Sequence, residues 1–172
     1  MLIPQSLPKD SVLDVEAVYK PHQNIGGDFF DFIELNEDEV FWCIADVSGK
    51  GISAALIMAN FQAGLRALVS SDISLPEIIS RLNKVVYHNT KGDRFITLFL
   101  AKYHKITREL SYINAGHNAS LLAQDGEVLP LSKGTIMIGA FDELPFINEG
   151  LVKVNRKAVI FNYTDGVLEY NG

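Results

Sequence analysis

The period of the apolar positions changes twice along the chain, and those two changes outline the fold. Residues 13–19 alternate apolar and polar side chains, which predicts a half-buried strand. Residues 29–35 and 39–46 are rich in aromatic and β-branched side chains and predict two more strands, with Asn36-Glu37-Asp38 supplying the turn of a hairpin. Both faces of this hairpin are apolar, Phe30, Phe32, Trp42 and Ile44 on one and Phe29, Ile33, Phe41 and Ala45 on the other. Such strands are covered on both sides, as in a layered structure. From Ser53 to about Ser70 the spacing turns helical, with Ile52, Ala55, Leu56, Ala59 and Ala63 recurring. A second helix opens at the capping box Ser74-Leu75-Pro76-Glu77, and its stripe of Leu75, Ile78, Ile79, Leu82, Val85 and Val86 predicts packing on a sheet. After Lys91-Gly92-Asp93 the strand period returns. Residues 95–103 and 110–114 flank Thr107-Arg108-Glu109, residues 120–123 and 127–131 flank Asp125-Gly126, and residues 152–154 and 158–163 follow. Strands, two helices, then strands again predict an α+β domain of mainly antiparallel sheets, a β-sandwich with a helical pair outside it.

Composition narrows the class. At 172 residues one domain with a sizeable core is expected. A net charge of −6 with no basic tract argues against a nucleic-acid partner. The single cysteine, Cys43, excludes an internal disulfide, fits a reducing compartment and reads as a small buried core residue. No apolar run reaches the length of a membrane span, and the first residues lack the layout of a signal peptide.

The chemistry points to three aspartates at predicted strand ends, each near glycine: Asp28 in Gly26-Gly27-Asp28, Asp46 in Ala45-Asp46-Val47-Ser48-Gly49, and Asp165 in Thr164-Asp165-Gly166. A hairpin turn centred on Glu37 sets Asp28 opposite Asp46, Phe30 opposite Ile44 and Phe32 opposite Trp42. Directly opposed residues have Cβ atoms about 4.5–5.5 Å apart. Two carboxylates at that distance repel, and one would take up a proton unless a cation lies between them. No matching set of arginines or lysines is evident, so a hard divalent cation is the expected partner. Each Asp-Gly or Gly-Asp pair alone is an ordinary turn; the metal reading rests on the three together. Gly49-Lys50-Gly51 is not a phosphate loop of the Walker A type, because Ile44 and Gly51 stand where glycine and a hydroxyl residue are required. It reads as a sharp strand-to-helix connection, with Lys50 a solvated loop lysine that can still touch substrate. His117, in Gly116-His117-Asn118, is expected to hydrogen-bond within its own loop in preference to serving as a general acid. His22, His88 and His104 lack metal-ligand spacing. Asp31 either supports the site from beside Asp28 or is a satisfied strand carboxylate.

These segments resemble the metal-dependent protein phosphatase (PPM) family, in its bacterial branch of SpoIIE- and RsbU-type serine phosphatases. The residues that carry the resemblance are Gly26-Gly27-Asp28-Phe29-Phe30-Asp31; Ala45-Asp46-Val47-Ser48-Gly49-Lys50-Gly51-Ile52-Ser53-Ala54-Ala55; Phe95-Ile96-Thr97; Asn114-Ala115-Gly116-His117-Asn118; and Tyr163-Thr164-Asp165-Gly166-Val167-Leu168-Glu169. They stand in family order over nearly the whole chain. The resemblance implies an αββα sandwich with a two-metal site for manganese or magnesium at one end of the sheets. Asp46 would bridge both ions, the Val47 carbonyl would contact one, Asp165 would ligate the second, and Asp28 would hold metal-bound water. The implied reaction is hydrolysis of phosphoserine or phosphothreonine on a protein in the cytoplasm, with a phosphorylated STAS-type anti-sigma-factor antagonist as substrate. An upstream sensor or coiled-coil segment is implied as well, and a homodimer is left open.

The chain departs from that pattern in two places. The family's further metal aspartate, in a downstream Asp-Asp-x-Thr-like strand, has no counterpart before Gly172. The expectation is therefore a single domain over residues 1–172 that is C-terminally truncated, a fragment of a longer regulator with an incomplete metal site, an unpaired sheet edge and little activity. Arg156-Lys157 also replaces a Gly-Asp turn frequent in relatives. The competing reading is a non-catalytic binding module on the same fold. A cyclase-like carboxylate site is disfavoured by the Gly-His-Asn and Thr-Asp-Gly segments.

Overall fold

The computed structural model describes residues 4, 6–20 and 27–167, and Gly26, His22, Leu168 and Glu169 lie outside them. Residues 13–19 are not a strand. Their alternation has no ladder to join, and the local backbone bonds are used at once: Asp10 accepts from the amides of Val12 and Leu13, and Val15 N–H donates to Pro8. One isolated bridge, Lys9 to Asp14, is all that forms there, and Val18 is 85% exposed.

The first hairpin joins β1 (Asp28–Glu34) to β2 (Glu39–Val47). Asn36 builds its turn by accepting from the amides of Asp38 and Glu39 through its side-chain oxygen. With that turn fixed, Asp28 faces Asp46 and Phe32 faces Trp42, the register expected from the pattern. Two helices follow, α1 (Ile52–Leu68) and α2 (Leu75–Thr90). Ser74 caps α2 by accepting from Glu77 N–H, but the other half of the capping box is not made, because the Glu77 carboxylate pairs with Arg81.

The chain then returns through β3 (Ile96–His104), β4 (Glu109–Ala115), β5 (Ser120–Gln124), β6 (Glu127–Leu131), β7 (Gly134–Thr135), β8 (Gly150–Lys153) and β9 (Val159–Phe161). The larger sheet has the order β1-β2-β3-β4-β7, with β8 also on β4; the smaller runs β6-β5-β9. All pairings are antiparallel except β4 with β7. The two-residue β7 is too short to leave a periodic signal. Asp125 and Gly126 both adopt positive φ, 54° and 81°, which matches the twist of the β5–β6 hairpin.

One core fills the space between the larger sheet and the two helices, with Phe29, Phe41, Phe61, Leu65, Ile78, Ile79 and Leu82 at its centre. A second lies between the sheets, around Val40, Phe99, Tyr112, Leu122 and Leu131. The layers are thus helices, larger sheet, smaller sheet. Among the described residues no helix covers the outer face of the smaller sheet, where Val128, Val159 and Phe161 are exposed. The fourth layer that the family resemblance implies is not among them. Cys43 is buried in the first core, and burial pushes its thiol pKa up, so it is a core residue as expected.

Candidate metal centre

Two of the three aspartates stand at one end of the larger sheet because the hairpin puts them there. Asp28 opens β1, Asp46 lies one residue from the end of β2, and the two are Cα partners. The third arrives from the smaller sheet. β9 ends at Phe161, residues 162–164 cross the gap, and Asp165 begins a single 3₁₀ turn. One carboxylate oxygen from each of Asp28, Asp46 and Asp165 lies within 4.8 Å of the others. Asp28 and Asp46 are half-buried and Asp165 is exposed.

The electrostatics of this cluster are unfavourable as it stands. None of the ion pairs among the described residues involves it. Burial, followed by the charges of Asp28 and Asp165, pushes the Asp46 carboxyl up to about 6. Burial also raises Asp28, partly offset by the Thr164 hydroxyl, which donates to its carboxylate at 3.2 Å, while the Asp165 charge adds to the rise.

The donor set suits a hard cation, since all three side chains offer carboxylate oxygens in the pattern favoured by magnesium and manganese. Backbone lies beside them. A Cβ on Gly27 would sit 2.8 Å from the Val47 carbonyl oxygen and 3.1 Å from an Asp46 carboxylate oxygen. The absence of a side chain at Gly27 therefore keeps open the space beside the Val47 carbonyl and Asp46. Val47 N–H in turn donates to the Gly27 carbonyl at 3.2 Å. The residues present fit a divalent ion.

Comparison with known proteins gives the family. A family model described as Stage II sporulation protein E (SpoIIE) matches residues 36–171. The chain belongs to the SpoIIE family. Phosphoserine phosphatase RsbU of Bacillus subtilis (strain 168) is 28% identical over 170 residues, covering 98% of this chain and 50% of that protein. The chain therefore spans about half the length of that relative. The solved PP2C phosphatase domain of SpoIIE from Bacillus subtilis, which includes a fragment of the regulatory domain, superposes with a TM-score of 0.75 at 18% identity. That match covers 86% of this chain and 43% of the other. RsbX, solved in complex with magnesium, gives a TM-score of 0.66 at 18% identity over 82% of this chain and 67% of its own. The SpoIIE-family chain is thus a PPM domain of the SpoIIE/RsbU type with the PP2C fold.

The other expected residues separate. Gly49, at φ +100°, and Lys50 lie on the exposed loop between β2 and α1, beside the cluster in sequence but not part of it. Asp31 is turned to the helix side of the sheet. It is 1% exposed and accepts from Arg66 Nε and Nη2 at 2.7 Å each, so it is a satisfied strand carboxylate. His117 does close its own loop through backbone, with Asn114 accepting from His117 N–H and donating to its carbonyl. Its imidazole does more, lying 2.9 Å from Thr97 Oγ1 and 3.1 Å from the Tyr163 carbonyl.

Sequence reasoning missed two groups. Arg94 presses its guanidinium on Gly49, where a Cβ would lie 2.1 Å from Nη1, and reaches the Ser48 carbonyl at 3.4 Å. Thr164 orients Asp28. Thr164 was visible within the Thr-Asp-Gly segment, but Arg94 carried no signal, because its closeness to the loop after Asp46 arises only from the pairing of β2 with β3.

Proposed function

We propose that this domain hydrolyses phosphoserine or phosphothreonine on a regulatory protein, with two manganese or magnesium ions held by Asp28, Asp46, Asp165 and the Val47 carbonyl. The observation that carries this reading is the convergence of three carboxylates from two sheets, without a cationic partner among the described residues. The names of the RsbU and PP2C relatives support the reaction class, and magnesium in the RsbX structure supports the ion class.

Within this reading Asp46, whose carboxylate lies close to those of Asp28 and Asp165, would be a ligand to the ions, the part that the family resemblance implies for it. Thr164 fixes the orientation of Asp28 through its hydroxyl. Gly27 leaves the Val47 carbonyl accessible. Lys50 and Arg94, on or against the loop after Asp46, receive the anionic part of a phosphopeptide, and His117 has no acid–base role. Divalent ions bound there supply charge neutralisation of the phosphate and activation of water for in-line attack. The substrate is a phosphorylated STAS-type domain, the domain sits behind a sensor or coiled-coil segment, and it acts in the cytoplasm.

The test is phosphate release from a phosphorylated STAS protein with manganese. Native chain should turn over slowly, as expected of a ligand set without the family's further metal aspartate, and Asp46→Asn should lose that activity by on the order of a hundredfold or more, as expected when a ligand of a two-metal centre is removed. Equal rates for the two would exclude Asp46 from the reaction. Saturable binding of the phosphoprotein with no release by the native chain would favour the binding-module reading.

A further inference from the structure

The two halves of the carboxylate cluster belong to different sheets, so their separation depends on how the sheets are held at that end. Of the three consecutive residues before Asp165, Asn162 and Thr164 meet the larger sheet and Tyr163 meets the loop that follows β4. Asn162 accepts from Trp42 Nε1 of β2 at 3.5 Å and from Ser120 Oγ of β5 at 2.9 Å. The Tyr163 carbonyl meets His117 Nε2 at 3.1 Å. Thr164 donates to Asp28 of β1 at 3.2 Å. Of these only the His117 contact continues through a second side-chain bond into the middle of the larger sheet, to Thr97 of β3, the Cα partner of Asp46.

The partners fix the imidazole's protons. A carbonyl can only accept, so His117 Nε2 carries hydrogen and donates to Tyr163. In the neutral ring Nδ1 then accepts from the Thr97 hydroxyl. The backbone of His117 is pinned to Asn114, which is 5% exposed at the end of β4. The ring is therefore a strut between β3 and the segment leading to Asp165, with its base anchored on β4.

We propose that His117 is a positioning residue that sets the distance between Asp165 and the Asp28–Asp46 pair, and so tunes divalent-ion affinity without touching ion or substrate. This rests on the metal reading above. Groups that orient ligands typically change metal affinity by about 10–100-fold when removed. His117→Ala is expected to weaken manganese binding by about tenfold at the lower end of that range. His117→Gln, whose amide can donate to the Tyr163 carbonyl, should recover most of the loss. In an Asp165→Asn background His117→Ala should add nothing, because the strut then positions no ligand.

Titration calorimetry with manganese alone on these four variants and the native chain reads the affinities. Native-like affinity in His117→Ala, no recovery in His117→Gln, or an equal loss with and without Asp165 would each overturn the proposal. A second readout does not need metal. Trp42 is the only tryptophan and contacts Asn162 in the same segment. In chelator, acrylamide should quench Trp42 more strongly in His117→Ala than in native chain or His117→Gln; unchanged quenching would overturn the strut. If native chain and Asp46→Asn bind manganese equally poorly, the metal reading fails, and the quenching result alone decides whether His117 holds the segment.

Discussion

Asp46 carries an electrostatic cost that the proposed metal would relieve. Its carboxyl is raised to about 6 from an ordinary 3.8, first by burial and then by Asp28 and Asp165. The folded chain without metal therefore binds a proton more tightly at this residue than the unfolded chain does. By linkage, Asp46 lowers the stability of the metal-free fold progressively as pH rises from about 4 through about 6. Removing the charge should relieve that. In chelator, Asp46→Asn should be more stable than native at pH 7.5, and the difference should shrink toward zero near pH 4, as read by urea denaturation at both values. Manganese should reverse the order at pH 7.5 and bind more weakly at pH 5, because ion and proton compete for the same oxygens.

At the scale of elements, α1 is held to the sheet by one buried polar contact as well as by Phe61 and Leu65. Asp31 of β1 is fully enclosed and accepts two hydrogen bonds from Arg66 near the end of α1, whose own side chain is 53% exposed, and one from Phe32 N–H. The Asp31 carboxylate holds the Arg66 guanidinium pKa above its ordinary value. Arg66→Met should leave a buried charge without its cationic partner and destabilise the domain by about 3–5 kcal/mol. The double change Asp31→Leu with Arg66→Met should recover much of that loss. Both are read from denaturant midpoints. Asn83 of α2 does similar work for the loop after β7, donating to the carbonyls of Phe141 and Asp142 and accepting from Gly139 N–H. Neither contact was legible in the sequence. Asp31 and Arg66 are 35 positions apart, and the helical pattern marks which face of α1 is apolar without saying what polar group lies beneath it.

For the whole molecule, the cluster is a joint between two sheets, so metal should stabilise the sandwich as a unit. Manganese at a hundredfold excess over its dissociation constant adds about 2.7 kcal/mol to the folded state. Thermal melts should therefore shift upward with manganese in the native chain and stay fixed in Asp46→Asn. A shift of equal size in both would place the ion elsewhere.

Much of this was readable from the chain. The first hairpin and its register, both helices, the Asp125-Gly126 turn and the α+β order follow from apolar period and turn chemistry, which act over a few residues. Asp28 and Asp46 could be paired because a hairpin is local. What apolar period and turn chemistry could not decide was contact across the sandwich: the arrival of Asp165 from the smaller sheet, which was inferred from the three aspartates together and from the family resemblance, the Thr97–His117–Tyr163 strut, Arg94 against Gly49, and the short β7. Residues 13–19 show the same limit from the other side, since alternation makes a strand only where a neighbouring strand accepts its hydrogen bonds. The sequence determined which carboxylates were at strand ends; the packing of one sheet on the other decided that three of them meet.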